Sequence, residues 1–234
     1  MNAPEFDAVF RPVRTGRAVQ ETLDRLLQLV RLGVVGAGTR LPPERELSQR
    51  LSVSRVTLRE ALRELAAAGY VESRRGRYGG TFVVRDLPSP RRAERLGAAE
   101  LDDLLRLRRA VEPGAAELAA ARRLSSAARQ HLTGAFAEAA DAEPADYRRR
   151  DSRLHLAIAE VTTSGSLTGV VADVRMRITA LLDDIPLTRC NRERSDVQHA
   201  RILEAILAGD PAAARAAMAE HVESTAVLLR AFVT

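Results

Sequence analysis

The sequence predicts a mostly α-helical protein of two domains, with one small β-hairpin in the first domain and an all-helical second domain. Apolar residues recur at spacings of three and four over most of the chain, which is typical of amphipathic helices. One glycine-containing stretch between residues 70 and 85 alternates instead, as strands do. The segment DLPSPRRAE, residues 86–94, contains two prolines and separates the two patterns. We therefore predict domains at 1–86 and 96–234, joined by a linker at 87–95.

The composition excludes several classes of protein. Of the 234 residues, 46% are hydrophobic and 29% are charged, a balance typical of folded domains in water. No stretch approaches ~18 consecutive apolar residues, and the N-terminus lacks a secretory signal, so we expect a cytoplasmic protein with no membrane partner. The single cysteine, Cys190, excludes an internal disulfide and a cysteine-based zinc finger.

Positive charge is concentrated in the N-terminal part of the chain. Residues 1–95 contain 18 arginines and 11 acidic residues, a net charge of +7, whereas residues 96–234 contain 18 arginines and 20 acidic residues, a net charge of −2. The chain has no lysine, and guanidinium groups suit bidentate contacts to phosphate and guanine. The N-terminal domain is therefore the candidate for binding a polyanion.

Two short helices with a tight turn between them are predicted within LPPERELSQRLSVSRVTLREALRELAAAGYV. Ser54 is a suitable N-cap for the second helix, which buries three leucines and stops at Gly69. Its opposite face carries Arg55, Thr57 and Arg59 near the start of the helix. A recognition helix enters the major groove of DNA with such residues leading, because arginine forks to guanine and threonine reaches phosphate or base edges.

A basic hairpin follows the second helix. YVESRR and TFVVR alternate around glycines at positions 76, 79 and 80, and Arg74, Arg75 and Arg77 lie close to the predicted tip. A basic hairpin directly after a recognition helix is a wing. The residues alone therefore predict a winged helix-turn-helix that binds double-stranded DNA.

The string LPPERELSQRLSVSRVTLREALRELAAAGYVESRRGRYGGTFV resembles the winged helix-turn-helix of GntR-type bacterial transcription regulators, over roughly residues 16–85. The resemblance implies a regulator rather than an enzyme, acting as a homodimer on a pseudo-palindromic operator. Val56 stands where some relatives have a polar contact residue, and a valine there can meet a thymine methyl group. The DNA-contact positions implied by the resemblance, with two wing arginines added from the charge pattern, are Arg45, Ser54, Arg55, Thr57, Arg59, Gly76, Arg75 and Arg77.

Everything after the linker is predicted to be helical, with prolines at 113, 144 and 211 in the first turns of their helices. The predicted segments are 99–111, 113–123, 125–141, 144–163, 166–184, 191–208 and 210–231.

Three of the four histidines, His155, His199 and His221, lie on three different predicted helices. Asp151 precedes His155 by one helical turn, so their side chains share a face. Three neutral imidazoles and a carboxylate suit Zn²⁺, Ni²⁺ or a similar divalent ion. The spacing alone leaves two interpretations open, a metal site and ordinary core histidines.

The pattern D-x-x-x-H, then H-x-x-I-x-x-A-I-x-x-G-D, then M-x-x-H resembles the all-helical, metal-containing ligand-binding (FCD) domain of the FadR-like branch of GntR regulators, over about residues 96–231. LRLRRAVEPGAAELAA also matches the opening helices of that domain. The resemblance implies that Asp151, His155, His199 and His221 bind a divalent ion, Zn²⁺ with Ni²⁺ and Mn²⁺ as alternatives. It also implies a small carboxylate effector at the open coordination positions, and a repressor that the effector releases from DNA.

Contacts to the effector are expected from four residues, Arg108, Ser164, Arg175 and Arg177. Ser164 stands where relatives often have asparagine. Arg108 matches a position that can face the pocket, and it either binds the effector or forms a salt bridge to Glu112. His131 has no partner motif and is expected to lie exposed on the surface.

Two other functions fit parts of the sequence. An Asp/His₃ site activates water in metal-dependent hydrolases, but the nearest acid, Glu160, lies on a different helical face from His155. The winged helix also has no place in a hydrolase. Alternatively, the helical domain only dimerises an architectural DNA-binding protein around a structural metal. A small acid that changes DNA affinity distinguishes a regulator from such a protein.

Overall fold

The computed structural model describes residues 18–76, 79–88 and 96–233, and the chain divides into two compact units at residue 89. Most of the predicted linker lies outside the described residues. In the described part, the first unit contains α1 (Ala18–Arg31), α2 (Glu44–Arg50), α3 (Arg55–Ala67), β1 (Val71–Arg74) and β2 (Gly80–Val83).

Helices α2 and α3 form the predicted helix-turn-helix. The Ser54 hydroxyl accepts a hydrogen bond from the backbone N–H of Thr57 at 3.0 Å, which satisfies one of the donors that a helix start leaves unpaired. Ser52 adopts a left-handed φ of 54° in the turn. Leu58 and Leu65 of α3 are fully buried, and burial of each leucine stabilises the unit by about 1.5–3 kcal/mol.

Strands β1 and β2 form the predicted hairpin. They pair antiparallel in a register that runs from Val71 opposite Val83 to Arg74 opposite Gly80. Arg40 adds an isolated bridge to Phe82. Gly80 has a φ of 147°, a backbone conformation that residues with a Cβ rarely adopt, so glycine is favoured at this position.

The second unit is all-helical. Its described helices are α4 (Ala98–Ala120), α5 (Ser126–Ala140), α6 (Tyr147–Glu160), α7 (Gly165–Asp183), α8 (Arg189–Ala208) and α9 (Pro211–Val233). No described helix is both long and apolar enough to cross a membrane. The predicted fold class, mostly α with one β-hairpin, is confirmed.

Two of the three predicted proline starts are wrong. Helix α4 continues through Pro113, so the predicted segments 99–111 and 113–123 are one helix. An internal proline costs about 3 kcal/mol, but α4 is buried on both sides of it, for example at Leu104 and Ala116, and that burial outweighs the lost hydrogen bond. Pro144 lies in the turn before α6, whereas Pro211 begins α9 as predicted.

The core of the second unit consists of two apolar clusters with polar residues between them along α4. One cluster is rich in alanine and includes Ala115 and Ala116, whereas the other is rich in leucine and includes Leu104 and Leu105. Buried polar side chains are stable only when other polar groups satisfy them. The buried polar positions that follow Leu105 on α4 therefore need polar partners from the neighbouring helices.

Candidate metal centre and nucleic-acid interface

The four predicted metal ligands lie together in the core of the second unit. Asp151 and His155 come from α6, His199 from α8 and His221 from α9, and one ligand atom of each lies within 4.8 Å of the others. All four side chains are buried. The helical spacing of four brings Asp151 and His155 to one face.

A tight connection brings the two remaining histidines to the same place. Helix α8 ends at Ala208 and is capped by Gly209, which has a left-handed φ of 71°, and α9 begins at Pro211. A glycine in this conformation and a first-turn proline are the usual end and start of adjacent helices. His199 and His221 therefore face each other, with ring centroids 4.5 Å apart.

The inward-facing atoms are three imidazole nitrogens and one carboxylate oxygen. Nε2 of His155 lies 3.2 Å from Nε2 of His221, and Nε2 of His199 lies 3.2 Å from Oδ1 of Asp151. The distance from Nε2 of His155 to Oδ1 of Asp151 is 3.9 Å. Nitrogen and oxygen donors of this kind bind Zn²⁺ and related divalent ions.

Burial keeps His155 and His221 neutral. Burial, followed by the charge of Arg175, lowers the pKa of His155 from 6.5 to about 4. Burial and the neighbouring histidines hold the pKa of His221 well below its ordinary value. Burial alone would raise the pKa of Asp151, but Arg175 and the histidines hold it well below the usual range. Neutral imidazoles and an ionised carboxylate are the forms that bind metal ions.

A cation fits this donor set. Nε2 of His199 is buried, and its contact with Oδ1 of Asp151 at 3.2 Å does not have the geometry of a hydrogen bond, so this nitrogen has no hydrogen-bond partner among the residues that the structure describes. A buried polar atom without a partner costs about 1–3 kcal/mol. A divalent ion among the four donors would remove that cost and would satisfy the nitrogen and oxygen lone pairs that face one another here.

Two arginines lie beside the four ligands. Arg175 donates to Asp151 and, at 3.1 Å, to the Ser152 hydroxyl, while Arg108 donates from Nε to Glu112 at 2.9 Å. Both arginines are 1% exposed. Nη1 and Nη2 of Arg108 and Nε and Nη1 of Arg175 have no hydrogen-bond partner within the described part of the chain. A cavity with both polar and apolar walls adjoins them, and its polar lining includes Arg108, Asp151, Arg175, Asn191, Ser195 and His221.

The first unit presents its predicted DNA-contact residues to solvent. Arg55, Arg59 and, on α2, Arg45 are exposed, and Val56 is 73% exposed at the start of α3. Thr57 is half-buried and shares a hydrogen bond of 2.8 Å with the Ser54 hydroxyl. Because Val56 is exposed at the start of the recognition helix, its side chain is accessible to the methyl group of a thymine.

Electrostatic partners already hold some of these arginines in the absence of DNA. Arg59 donates to Glu44 of α2 at 2.7 Å. On the wing, Arg74 pairs with Glu72 and lies 4.4 Å from the centre of the Phe82 ring. Arg75 and Gly76 are exposed, and the predicted contact residue Arg77 lies outside the described residues.

Comparison with known protein families identifies both units. The model of the bacterial regulatory proteins of the gntR family matches residues 18–83, and the FCD domain model matches residues 103–224, more than half of the chain. The chain belongs to the GntR family. It is a transcription regulator with an FCD domain and not an enzyme, which confirms the predicted family and excludes the hydrolase.

Curated relatives match this GntR-family chain over most of its length. The putative L-lactate dehydrogenase operon regulatory protein of Escherichia coli (strain K12) is 30% identical over 228 residues, covering 92% of this chain and 88% of that protein. The Uxu operon transcriptional regulator of the same strain is 31% identical over 224 residues, with coverage of 89% and 85%. The solved structure of E. coli McbR/YncC has a TM-score of 0.56 at 19% identity, covers 93% of this chain and 99% of that chain, and shares its fold.

The structure does not bring two of the predicted effector residues of this GntR-family chain to the described cavity. Ser164 instead caps α7, where its hydroxyl accepts from the N–H of Leu167 at 3.3 Å. Arg177 is exposed, because two positions along a helix from buried Arg175 lead to nearly the opposite face. Their predicted role in effector binding therefore has no support from their positions.

The expectation that His131 is an exposed surface residue is wrong. Its side chain is only 16% exposed, and Nε2 lies 2.8 Å from the carboxylate of Glu160. Arg153 of α6 donates to the same carboxylate at 2.9 Å. Sequence gives no signal for this contact, because His131 and Glu160 lie on different helices and are 29 positions apart. Glu160 is thereby held in a buried contact with Arg153 and His131.

Two residues beside the candidate ligands were not predicted from sequence to contact them. The sequence predicts Glu112 only as a partner of Arg108, yet in the structure its second oxygen contacts Nδ1 of His155. Oε1 of Gln198 lies 3.1 Å from Nδ1 of His221. Gln198 directly precedes His199 in the chain, but the spacing of residues in the sequence does not predict that its side chain contacts His221 of α9.

Proposed function

We propose that this chain is a ligand-responsive repressor. The winged helix-turn-helix binds an operator, and the helical unit binds a divalent metal ion together with a small organic acid that releases the DNA. The observation that carries the proposal is the juxtaposition of four buried ligand atoms with two buried arginines on the wall of one cavity. In a core that serves only stability, nearly all buried donors have hydrogen-bond partners, and these donors do not.

Asp151, His155, His199 and His221 would hold the metal ion, with Zn²⁺ as the first candidate and Ni²⁺ or Mn²⁺ as alternatives. When bound, the ion acts as a Lewis acid that attracts and orients a carboxylate oxygen. The residues of the chain supply the neutral imidazoles and keep Asp151 ionised through Arg175.

The charges around the cavity favour an anion as the effector. Arg108 and Arg175 are balanced by Glu112 and Asp151, and imidazoles bind a metal ion in their neutral form, so the two positive charges of a bound ion have no buried counterpart. Buried charge without a partner is strongly unfavourable. The unpaired N–H groups of both arginines can donate to a carboxylate in a bidentate arrangement.

The effector class can be tested with one acid and its uncharged analogue. The name of one relative refers to an L-lactate dehydrogenase operon, so L-lactate is the first acid to test. Calorimetry on zinc-loaded protein should show binding of L-lactate and none of lactamide, which lacks the charge. Arg108→Met should weaken binding at least about tenfold, since it removes a charge-assisted bidentate contact. Arg106→Met, at an exposed arginine of the same helix, should not.

Operator binding is proposed to use a homodimer on a pseudo-palindromic site, with one recognition helix in each half-site. Selection of bound fragments from genomic DNA would supply the operator, and sedimentation would give the number of chains on it. A regulator of this kind acts on the chromosome, so we place it in the cytoplasm. If no acid changes DNA affinity although zinc is bound, the protein is instead architectural, with a structural metal.

A further inference from the structure

A chain of hydrogen bonds with a fixed direction ends at His221. The hydroxyl of Ser224 donates to the backbone carbonyl of Glu220 at 3.0 Å. A carbonyl oxygen only accepts, so the single hydroxyl proton of Ser224 is committed to it. Any further partner of this hydroxyl must therefore donate to it.

Gln198 is that partner. Its Nε2 donates to the Ser224 hydroxyl at 2.9 Å, so the orientation of its amide group is fixed. The other end of the amide, Oε1, lies 3.1 Å from Nδ1 of His221 and only accepts. Nδ1 of His221 must therefore carry the proton, and a neutral ring then leaves Nε2 without one.

Glu112 favours the same tautomer of His155 through its negative charge. Oε1 of Glu112 accepts from Nε of Arg108 at 2.9 Å, and Oε2 contacts Nδ1 of His155 as an ion pair without the alignment of a hydrogen bond. All three side chains are buried. A carboxylate paired with arginine only accepts, so it favours the His155 ring with the proton on Nδ1. Nε2 of His155 is then unprotonated as well, and it faces Nε2 of His221 at 3.2 Å.

We propose that Glu112 and Gln198 are positioning residues of the metal centre: each holds one histidine proton on Nδ1 and leaves Nε2 of His155 and of His221 available to the ion. The inference rests on the metal centre proposed above. In this arrangement two lone pairs face each other across 3.2 Å, which is unfavourable until a cation lies between them. Outer contacts of this kind typically change metal affinity by about 10- to 100-fold.

The tautomers can be measured in full-length protein stripped of metal by a chelator. Long-range ¹H–¹⁵N spectra distinguish protonated from unprotonated ring nitrogens, and the chain has four histidines to assign by single substitution. We expect protonated Nδ1 and unprotonated Nε2 for both His155 and His221. A proton on Nε2 of either ring at neutral pH would overturn the proposal, and this measurement does not depend on bound metal.

Variants of Gln198 separate positioning from packing. Gln198→Met keeps the length of the side chain but removes the acceptor, so Zn²⁺ affinity measured by chelator competition should fall about 10- to 100-fold. Gln198→Glu restores an acceptor at Nδ1 of His221 and should restore most of the affinity. Gln130→Met, at an exposed position of α5, is the matched control and should change nothing.

Glu112→Gln gives the parallel test at His155, because it keeps an acceptor but removes the negative charge between Arg108 and His155. We expect a smaller loss of Zn²⁺ affinity than with Glu112→Leu, which has no acceptor. Wild-type zinc affinity in both Glu112→Leu and Gln198→Met would refute the positioning role while leaving the metal centre intact. Absence of zinc binding by wild-type protein would instead refute the metal centre itself, and the positioning role with it.

Discussion

The two units place their functional side chains in opposite environments. In the first unit Arg45, Arg55 and Arg59 lie in solvent, where their guanidinium groups can meet phosphates and bases directly. In the second unit the functional groups are buried, and several are fixed by a partner from another helix, as Asp151 is by Arg175. We propose that the first unit binds a large external partner, DNA, whereas the second unit encloses a small one.

This difference has an energetic consequence. Exposed arginines contribute little to folding, because water solvates them and surface ion pairs are worth about 0–1 kcal/mol. A buried polar cluster is costly whenever one member lacks a partner. Substitutions in the first unit should therefore change DNA binding alone, whereas substitutions in the second should change metal binding and folding together.

The largest expected effect comes from removing two candidate ligands. His199→Ala combined with His221→Ala should reduce the metal content, measured by plasma mass spectrometry, from about one ion per chain to near zero, because two ligands from one helix do not close a site. His131→Ala, which removes a histidine of the same unit outside the cluster, should retain the metal. Full metal content in the double variant would contradict a metal centre that is built from His199 and His221.

Acid should destabilise the metal-free second unit. The pKa of His155 falls from 6.5 in the unfolded chain to about 4 on folding, so between these pH values the unfolded chain binds the extra proton. The stability present above about pH 6.5 is lost as the pH falls towards 4, and at 1.36 kcal/mol per pH unit the loss is about 3 kcal/mol. Urea denaturation followed by helical circular dichroism measures it. Stability that does not change across this interval would contradict a buried neutral ring.

Removing a reading arginine should affect DNA binding without affecting folding. Arg55→Ala or Arg59→Ala should weaken operator binding by about 1–3 kcal/mol in a fluorescence titration, because each removes a base or phosphate contact. Arg63→Ala, an exposed arginine farther along α3, is the matched control. If the melting temperature of a variant fell together with its operator affinity, the substituted arginine would contribute to folding and not only to DNA binding.

Val56→Ala should have the smallest effect. Val56 is 73% exposed, so the substitution removes no core contact. Against an operator with thymine at the facing step it should cost up to about 1.5 kcal/mol, the transfer energy of two methylene-sized groups. Against an operator with uracil, which lacks the methyl group, the loss should disappear. Equal losses on both operators would exclude the methyl contact.

The first unit was largely predictable because its signals are local. The N-cap at Ser54, the leucine spacing of α3 and the glycines of the wing act within a few residues of their own positions. The structure therefore reproduces the predicted elements of this unit closely.

The second unit was predictable in its helices and in the grouping of its histidines, but not in its contacts. Asp151 and His155 share a face by helical spacing, whereas the contact of Glu112 with His155 joins residues 43 positions apart on different helices. The prediction that Pro113 begins a new helix is wrong, because burial along α4 outweighs the local helix-breaking tendency of proline. Such errors follow wherever interhelical packing overrides local propensity.

We propose that an acid bound in the enclosed site changes the affinity of the exposed unit for DNA. The direct test is the operator affinity of zinc-loaded and zinc-free protein, each measured with and without L-lactate. We expect the acid to weaken operator binding by about 5- to 150-fold when zinc is present and to have little effect when zinc is absent. Equal operator affinity with and without acid, in zinc-loaded protein shown by calorimetry to bind that acid, would contradict it.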